Sequence, residues 1–122
     1  MEIRYLRSTD DRYIMVVTDG ENIVGTSSFG RSRLAEIPDY GEIIAIYFLP
    51  EYVGKGHGKR LLSAVLNELR TMGFNAVFLW VLEDNRNARR FYEKFGFNQS
   101  NRNIEALIGG KCLKEVQYCY KI

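Results

Sequence analysis

The chain has 122 residues, 46% of them hydrophobic, with 17 basic against 15 acidic side chains and a formal net charge of +2. That suits a single α/β domain over 1–122 and excludes the strongly basic character of a dedicated nucleic-acid binder. No apolar run approaches the ~20 residues that cross a bilayer, and Met1-Glu2-Ile3-Arg4-Tyr5 has no signal-like apolar stretch, so a cytoplasmic protein is expected.

Residues 12–18 are rich in strand formers and end at Asp19-Gly20, a hairpin signal. Residues 23–29 read as the antiparallel partner. A polar stretch from 31 to 40, broken by Pro38, reads as a loop. Residues 42–49 are nearly continuous in apolar side chains, so the pattern predicts a central strand covered on both faces. Pro50 stops it. From Gly58 to Met72 the period becomes helical, with Leu61, Leu62, Val65, Leu66, Leu69 and Met72 on one face and Gly73 as C-terminal cap. Residues 76–81 are a further buried strand, and strand–helix–strand implies a parallel pair with a right-handed crossover. A second helix is expected over 86–95, with Ala88, Phe91, Tyr92 and Phe95 inward and Gly96 ending it. Gly109-Gly110 turns a last hairpin between 104–108 and 115–121. The fold class is therefore α/β with a mixed sheet.

Chemistry concentrates at Gly54-Lys55-Gly56-His57-Gly58-Lys59. Three alternate glycines before a helix free the backbone for positive φ and let its N–H groups approach a ligand. A helix N-terminus adds donors and partial positive charge suited to phosphate. The other reading is a flexible turn. Lys59 and Arg60 sit in the helix's first turn, where cations are disfavoured by roughly 0.3–1 kcal/mol each, and a bound anion reverses that penalty. The ATP loop does not fit, because Gly54 and Gly58 are one residue too close and Arg60 replaces the hydroxyl. The dinucleotide fingerprint fails at Lys59. Cys112 and Cys119, with His57 the only histidine, do not make a metal site and are expected to be reduced.

The residues resemble the GNAT superfamily of acyl-CoA N-acyltransferases. Its phosphate signature, [QR]-x-x-G-x-[GA], reads here Val53-Gly54-Lys55-Gly56-His57-Gly58. Its second signature, N-x-x-A-x-x-x-Y-x-x-x-G-F, appears as Asn85, Ala88, Tyr92, Gly96 and Phe97. The resemblance covers about 12–122 and implies acetyl-CoA as co-substrate, with an amine as acceptor. It also implies that Ile46, Tyr47 and Phe48 line the pantetheine arm and that the amides from Gly54 to Lys59 hold the pyrophosphate. Asn85 and Ala88 would flank the CoA, and Tyr92 would protonate the departing thiolate. A phenol near 10 can serve a thiolate near 8.5, in a pocket able to narrow that gap. Read without the motif, Tyr92 is a core aromatic and Asn85 a helix N-cap. Glu42 matches the position of a catalytic base in some members of the family, and equally reads as a solvated strand end.

Two departures stand out. Val53 replaces the usual Gln or Arg, and the two helices that the family inserts after its first strand give way to little more than Ser8-Thr9-Asp10-Asp11. That reduction suggests an uncovered acceptor side, which a homodimer or a large acceptor would complete. It also admits a rival reading, an acyl-CoA-binding module without turnover. A nucleic-acid-binding reading rests only on Arg86, Arg89, Arg90 and Lys94, which read as a solvated helix face or as contacts to the CoA phosphates.

Overall fold

The computed structural model of the chain describes residues 1–7 and 12–122. The expected shortening at Ser8, Thr9, Asp10 and Asp11 falls outside the described residues. In chain order the elements are strands β1 (Glu2–Arg7), β2 (Arg12–Asp19), β3 (Asn22–Arg31) and β4 (Gly41–Phe48), a 3-10 turn at Pro50–Tyr52, and helix α1 (His57–Thr71). Strand β5 (Ala76–Leu82), helix α2 (Arg86–Phe95) and strands β6 (Asn98–Ile108) and β7 (Lys111–Lys121) complete them. They group into two units, residues 1–77 with Ile122, and residues 78–121.

The first unit is built on an antiparallel meander, β1-β2-β3-β4. Leu6 lies opposite Ile14, Ile14 opposite Ser28, and Ser28 opposite Ala45. Gly20 has φ of 63°, as the predicted turn requires. Helix α1 covers one face through Leu61, Leu62, Val65, Leu66 and Leu69, all buried. Its bounds match the periodicity to within a residue or two.

The expectation that residues 42–49 are covered on both faces is corrected. The ladder between β3 and β4 slips by one residue, so Phe29 faces Ile43 while Ser28 faces Ala45, and Ile44 is left as a bulge. A Cβ on Gly41 would meet Leu69 and Phe74, and the Phe48 ring stacks beside His57 at 6.3 Å. Gly41 and Ile43 before the bulge, and Ile46 and Phe48 after it, therefore point to the α1 side. Ala45 and Tyr47 point to the other, where Tyr47 is 58% and Leu6 46% exposed. An apolar run does not report its own coverage, because a strand residue needs only one partner face to be retained as hydrophobic.

In the second unit the strand order is β5-β7-β6. β6 and β7 form a hairpin of two 11-residue strands, longer than the predicted 104–108 and 115–121. Residues 100–102 oppose Gln117 alone, and this bulged, polar stretch breaks the alternation that would have revealed the strand. The turn uses Gly109 and Gly110 at φ of 57° and 81°, as a two-residue hairpin loop demands. Phe97, Val116 and Tyr118 are buried with Tyr92 of α2. Phe97 and Tyr120 stack at 4.9 Å.

Candidate functional site

The glycine loop lies wholly in the first unit. After β4 the 3-10 turn brings Tyr52 back so that its hydroxyl donates to Asp19 Oδ2 at 2.9 Å, which anchors the start of the loop to the β2–β3 turn. Gly54 and Gly56 adopt φ of 79° and 86°, and a Cβ on either would meet nothing within 4 Å. Gly56 is the N-cap of α1 and provides no side-chain cap, and the first turn carries no acidic residue. The first backbone bond of the helix runs from the Arg60 N–H to the Gly56 carbonyl at 3.4 Å. The amides of His57, Gly58 and Lys59 thus precede any intrahelical partner. Lys55, Lys59 and Arg60 are exposed around them.

An open, uncapped helix start rimmed by cations fits a phosphate-bearing ligand. The sequence expectation is refined in one respect: Gly58 lies inside α1 and is not at positive φ, so only Gly54 and Gly56 shape the loop. His57 sits between Phe48 and Tyr52, with ring centroids 6.3 and 6.1 Å away. Val53 is exposed. Of the strand residues assigned to the pantetheine arm, Tyr47 faces away from α1, whereas Ile46 and Phe48 face toward it.

Glu42 is not a solvated strand end. It is only 2% exposed, and both of its oxygens are engaged by Arg33. Oε1 accepts from the Arg33 backbone N–H at 2.9 Å and from Nε at 3.2 Å, while Oε2 accepts from Nη2 at 2.7 Å. This bidentate clamp also raises the Arg33 guanidinium above its ordinary pKa, chiefly through the hydrogen bond to Glu42. These three bonds fill most of the acceptor positions that a carboxylate offers. Nothing in the sequence signalled Arg33, because a nine-residue separation across a loop carries no periodic pattern.

In the second unit, Asn85 Oδ1 accepts the Ala88 N–H at 3.2 Å, so Asn85 is a helix N-cap. Ala88 is half-buried behind it. Tyr92 is 7% exposed and packed by Phe91, Phe97 and Tyr118 at centroid distances of 5.3, 5.7 and 6.5 Å. Burial alone pushes its phenol up to about 12, because the phenolate is the form that loses hydration. The pocket therefore widens the gap to a thiolate instead of narrowing it.

The supposed solvated basic face of α2 is also partly inward. Arg89 donates through Nε to the Tyr118 hydroxyl at 3.1 Å, through Nη1 to the Glu83 carbonyl at 2.9 Å and through Nη2 to Gln99 Oε1 at 3.1 Å. The Tyr118 hydroxyl in turn donates to Glu93 Oε2 at 2.6 Å. Burial, with the bond to Glu93, raises the Tyr118 phenol despite the opposing Arg89 charge. Among the described residues no group of histidine, cysteine and carboxylate side chains could hold a metal ion, and no helix is long and apolar enough to cross a membrane.

The chain belongs to the GNAT acetyltransferase family, whose model matches residues 1–97 and so runs across both units. Among curated sequences it is similar to the uncharacterized N-acetyltransferase YuaI of Bacillus subtilis, 35% identical over 96 residues that cover 78% of this chain and 54% of the relative. The chain thus spans about half the length of that relative. Solved structures share its fold. The ribosomal-protein-S18-alanine N-acetyltransferase of Escherichia coli superposes with a TM-score of 0.78 at 19% identity, covering 95% of this chain and 72% of that one. The putative acetyltransferase yncA of Salmonella typhimurium, solved with acetyl-CoA, gives 0.75 at 22% identity, covering 90% and 64%.

Proposed function

We propose that the chain is an acetyl-CoA-dependent N-acetyltransferase that acts on a primary amine. One observation carries this reading: the start of α1, uncapped by any side chain, opens behind two positive-φ glycines whose outer faces are empty. The amides of Gly54 to Lys59 hold the pyrophosphate there, with Lys55, Lys59 and Arg60 supplying charge. The backbone of Ile46, Tyr47 and Phe48 orients the pantetheine arm, and Asn85 and Ala88 flank the CoA. Acetyl-CoA supplies the acetyl group as an activated thioester.

Tyr92, neutral at any working pH, donates its O–H toward the departing sulfur. With a phenol at about 12 and a thiol near 8.5, complete proton transfer is uphill, so hydrogen-bond stabilisation is the larger part of its role. Glu42 is occupied by Arg33, so the acceptor's proton leaves to water. That condition selects among acceptors. At pH 7.5 about a third of an α-amine with a pKa near 7.8 is unprotonated, against about one in a thousand for a lysine near 10.4. A peptide or protein N-terminus therefore suits this site better than a lysine side chain, and the S18-alanine acetyltransferase fold neighbour supports that class.

The deciding experiment is thermal melting with acetyl-CoA. Ligand linkage should raise the wild-type Tm, and Gly56→Asp should abolish the shift, because it sets a negative charge at the cradle. An equal shift in the variant sinks the reading. With binding shown, a free-amine peptide should release CoA faster than an N-blocked lysine peptide, and the reverse order would exclude the α-amine class. The binding-module alternative draws on the buried, high-pKa Tyr92; it predicts the melting shift without CoA release on any amine.

A further inference from the structure

The geometry points to a second binding site, for a small aromatic carboxylate, in the first unit at the end of α1 remote from the glycine loop. A cavity of about 280 Å³ opens there, lined by Tyr13, Arg31, Met72 and Phe74. Its volume lies at the lower edge of ligand pockets and would hold roughly nine waters, enough for one ring and a short chain. Met72 caps the C-terminus of α1, whereas the phosphate loop lies at its N-terminus. Fifteen helical residues span about 22 Å, so the two places do not overlap.

The cavity walls specify the ligand's body. Tyr13 is the middle ring of a ladder that runs Tyr5, Tyr13, Phe29, each step 6.0 Å between centroids with the planes within 30°. Phe74 supplies a second ring and Met72 a polarisable thioether, and both prefer an aromatic neighbour. Arg31 specifies the charge. Its Cζ lies 5.2 Å from the centroid of the Phe74 ring, and among the described residues no carboxylate pairs with it. Arg33, two residues on, contrasts with it because its fork is filled by Glu42. Stacking occupies the flat face of a guanidinium and leaves its in-plane N–H donors available. A fixed fork of that kind matches one carboxylate bidentately. Among the described residues no second cation lines the cavity, so a phosphate dianion would be under-compensated.

Calorimetric titration of the full chain with 3-phenylpropanoate tests this, with 3-phenylpropan-1-ol as the uncharged control. The acid should bind in the millimolar range or tighter, the alcohol at least about tenfold more weakly, as expected for loss of a charge-assisted pair. Arg31→Gln should weaken the acid about as much, and Arg31→Lys, which keeps the charge without the fork or the stack, by a smaller factor. Saturating CoA should leave the acid's affinity unchanged. No binding of the acid, equal binding of acid and alcohol, or displacement by CoA overturns the proposal. So does unchanged affinity in a folded Arg31→Gln protein or, should circular dichroism show that variant unfolded, in Arg31→Lys.

Discussion

Tyr92→Phe separates what the Tyr92 phenol does for folding from what it does for catalysis. In the folded chain the phenol titrates at about 12, against an ordinary value of 10.0, and burial is the cause. The unfolded chain, exposing the ring, releases that proton near 10. Tyr92 thus contributes stability that is fully present below pH 10 and lost as pH rises toward 12. Two pKa units correspond to roughly 3 kcal/mol in all, of which roughly 2 kcal/mol is lost by pH 12. The Tyr118 phenol is shifted in the same direction, but it is common to both proteins. The difference in unfolding free energy between wild type and Tyr92→Phe should therefore shift in the variant's favour by roughly 2 kcal/mol from pH 9 to pH 12, most of it above pH 10. Urea unfolding at half-unit pH steps reads this directly. Parallel curves would mean that the phenol is hydrated in the folded state, and the widened gap between it and the thiolate would vanish with its burial. At pH 7.5 the same variant should keep acetyl-CoA affinity and lose turnover by about 10²-fold or more; unchanged turnover would make Tyr92 a core aromatic only.

Two further outcomes follow from the hydrogen bonds. Glu42→Gln should cost about 1–2 kcal/mol in urea unfolding, toward the lower end because Arg33 is 48% exposed, while turnover stays within about tenfold of wild type. A loss of 10²-fold or more at unchanged stability would restore Glu42 as the base. Asn85→Ala should lower stability by about 1 kcal/mol through loss of the cap to Ala88, with Asn85→Asp close to wild type in melting; an alanine variant as stable as wild type would remove capping as the reason for this residue.

Most of the architecture was readable because local chemistry and tertiary placement agree. The spacing of Leu61, Leu62, Val65, Leu66 and Leu69 set α1, and Asn85 and Gly96 marked the ends of α2. The glycine loop was readable because Gly54 and Gly56 occupy backbone conformations that other residues avoid. What escaped depends on register and on pairs distant in sequence. The bulge at Ile44 involves an ordinary apolar residue, and the broken ladder at 100–102 hides under a polar run. Arg33 with Glu42, and Arg89 with Tyr118 and Glu93, meet only because strands and a helix bring them together. The direction of the Tyr92 shift likewise depended on the three rings around it, which no motif encodes.

The bulge in β4 makes it, in effect, two short strands of opposite phase joined at Ile44. A mutational scan along residues 41–48 would show tolerance alternating with period two, then skipping a beat and resuming inverted. Removing Ile44 alone would restore the regular ladder and leave Ala45 and Tyr47 facing away from α1 and Ile46 and Phe48 facing toward it. The Phe48 ring would keep its place over Gly25, where no Cβ would fit, and beside His57. Ile44 is thus the one position of β4 where a deletion would leave the mouth of the glycine loop as it stands, because the strand already carries that residue outside its ladder.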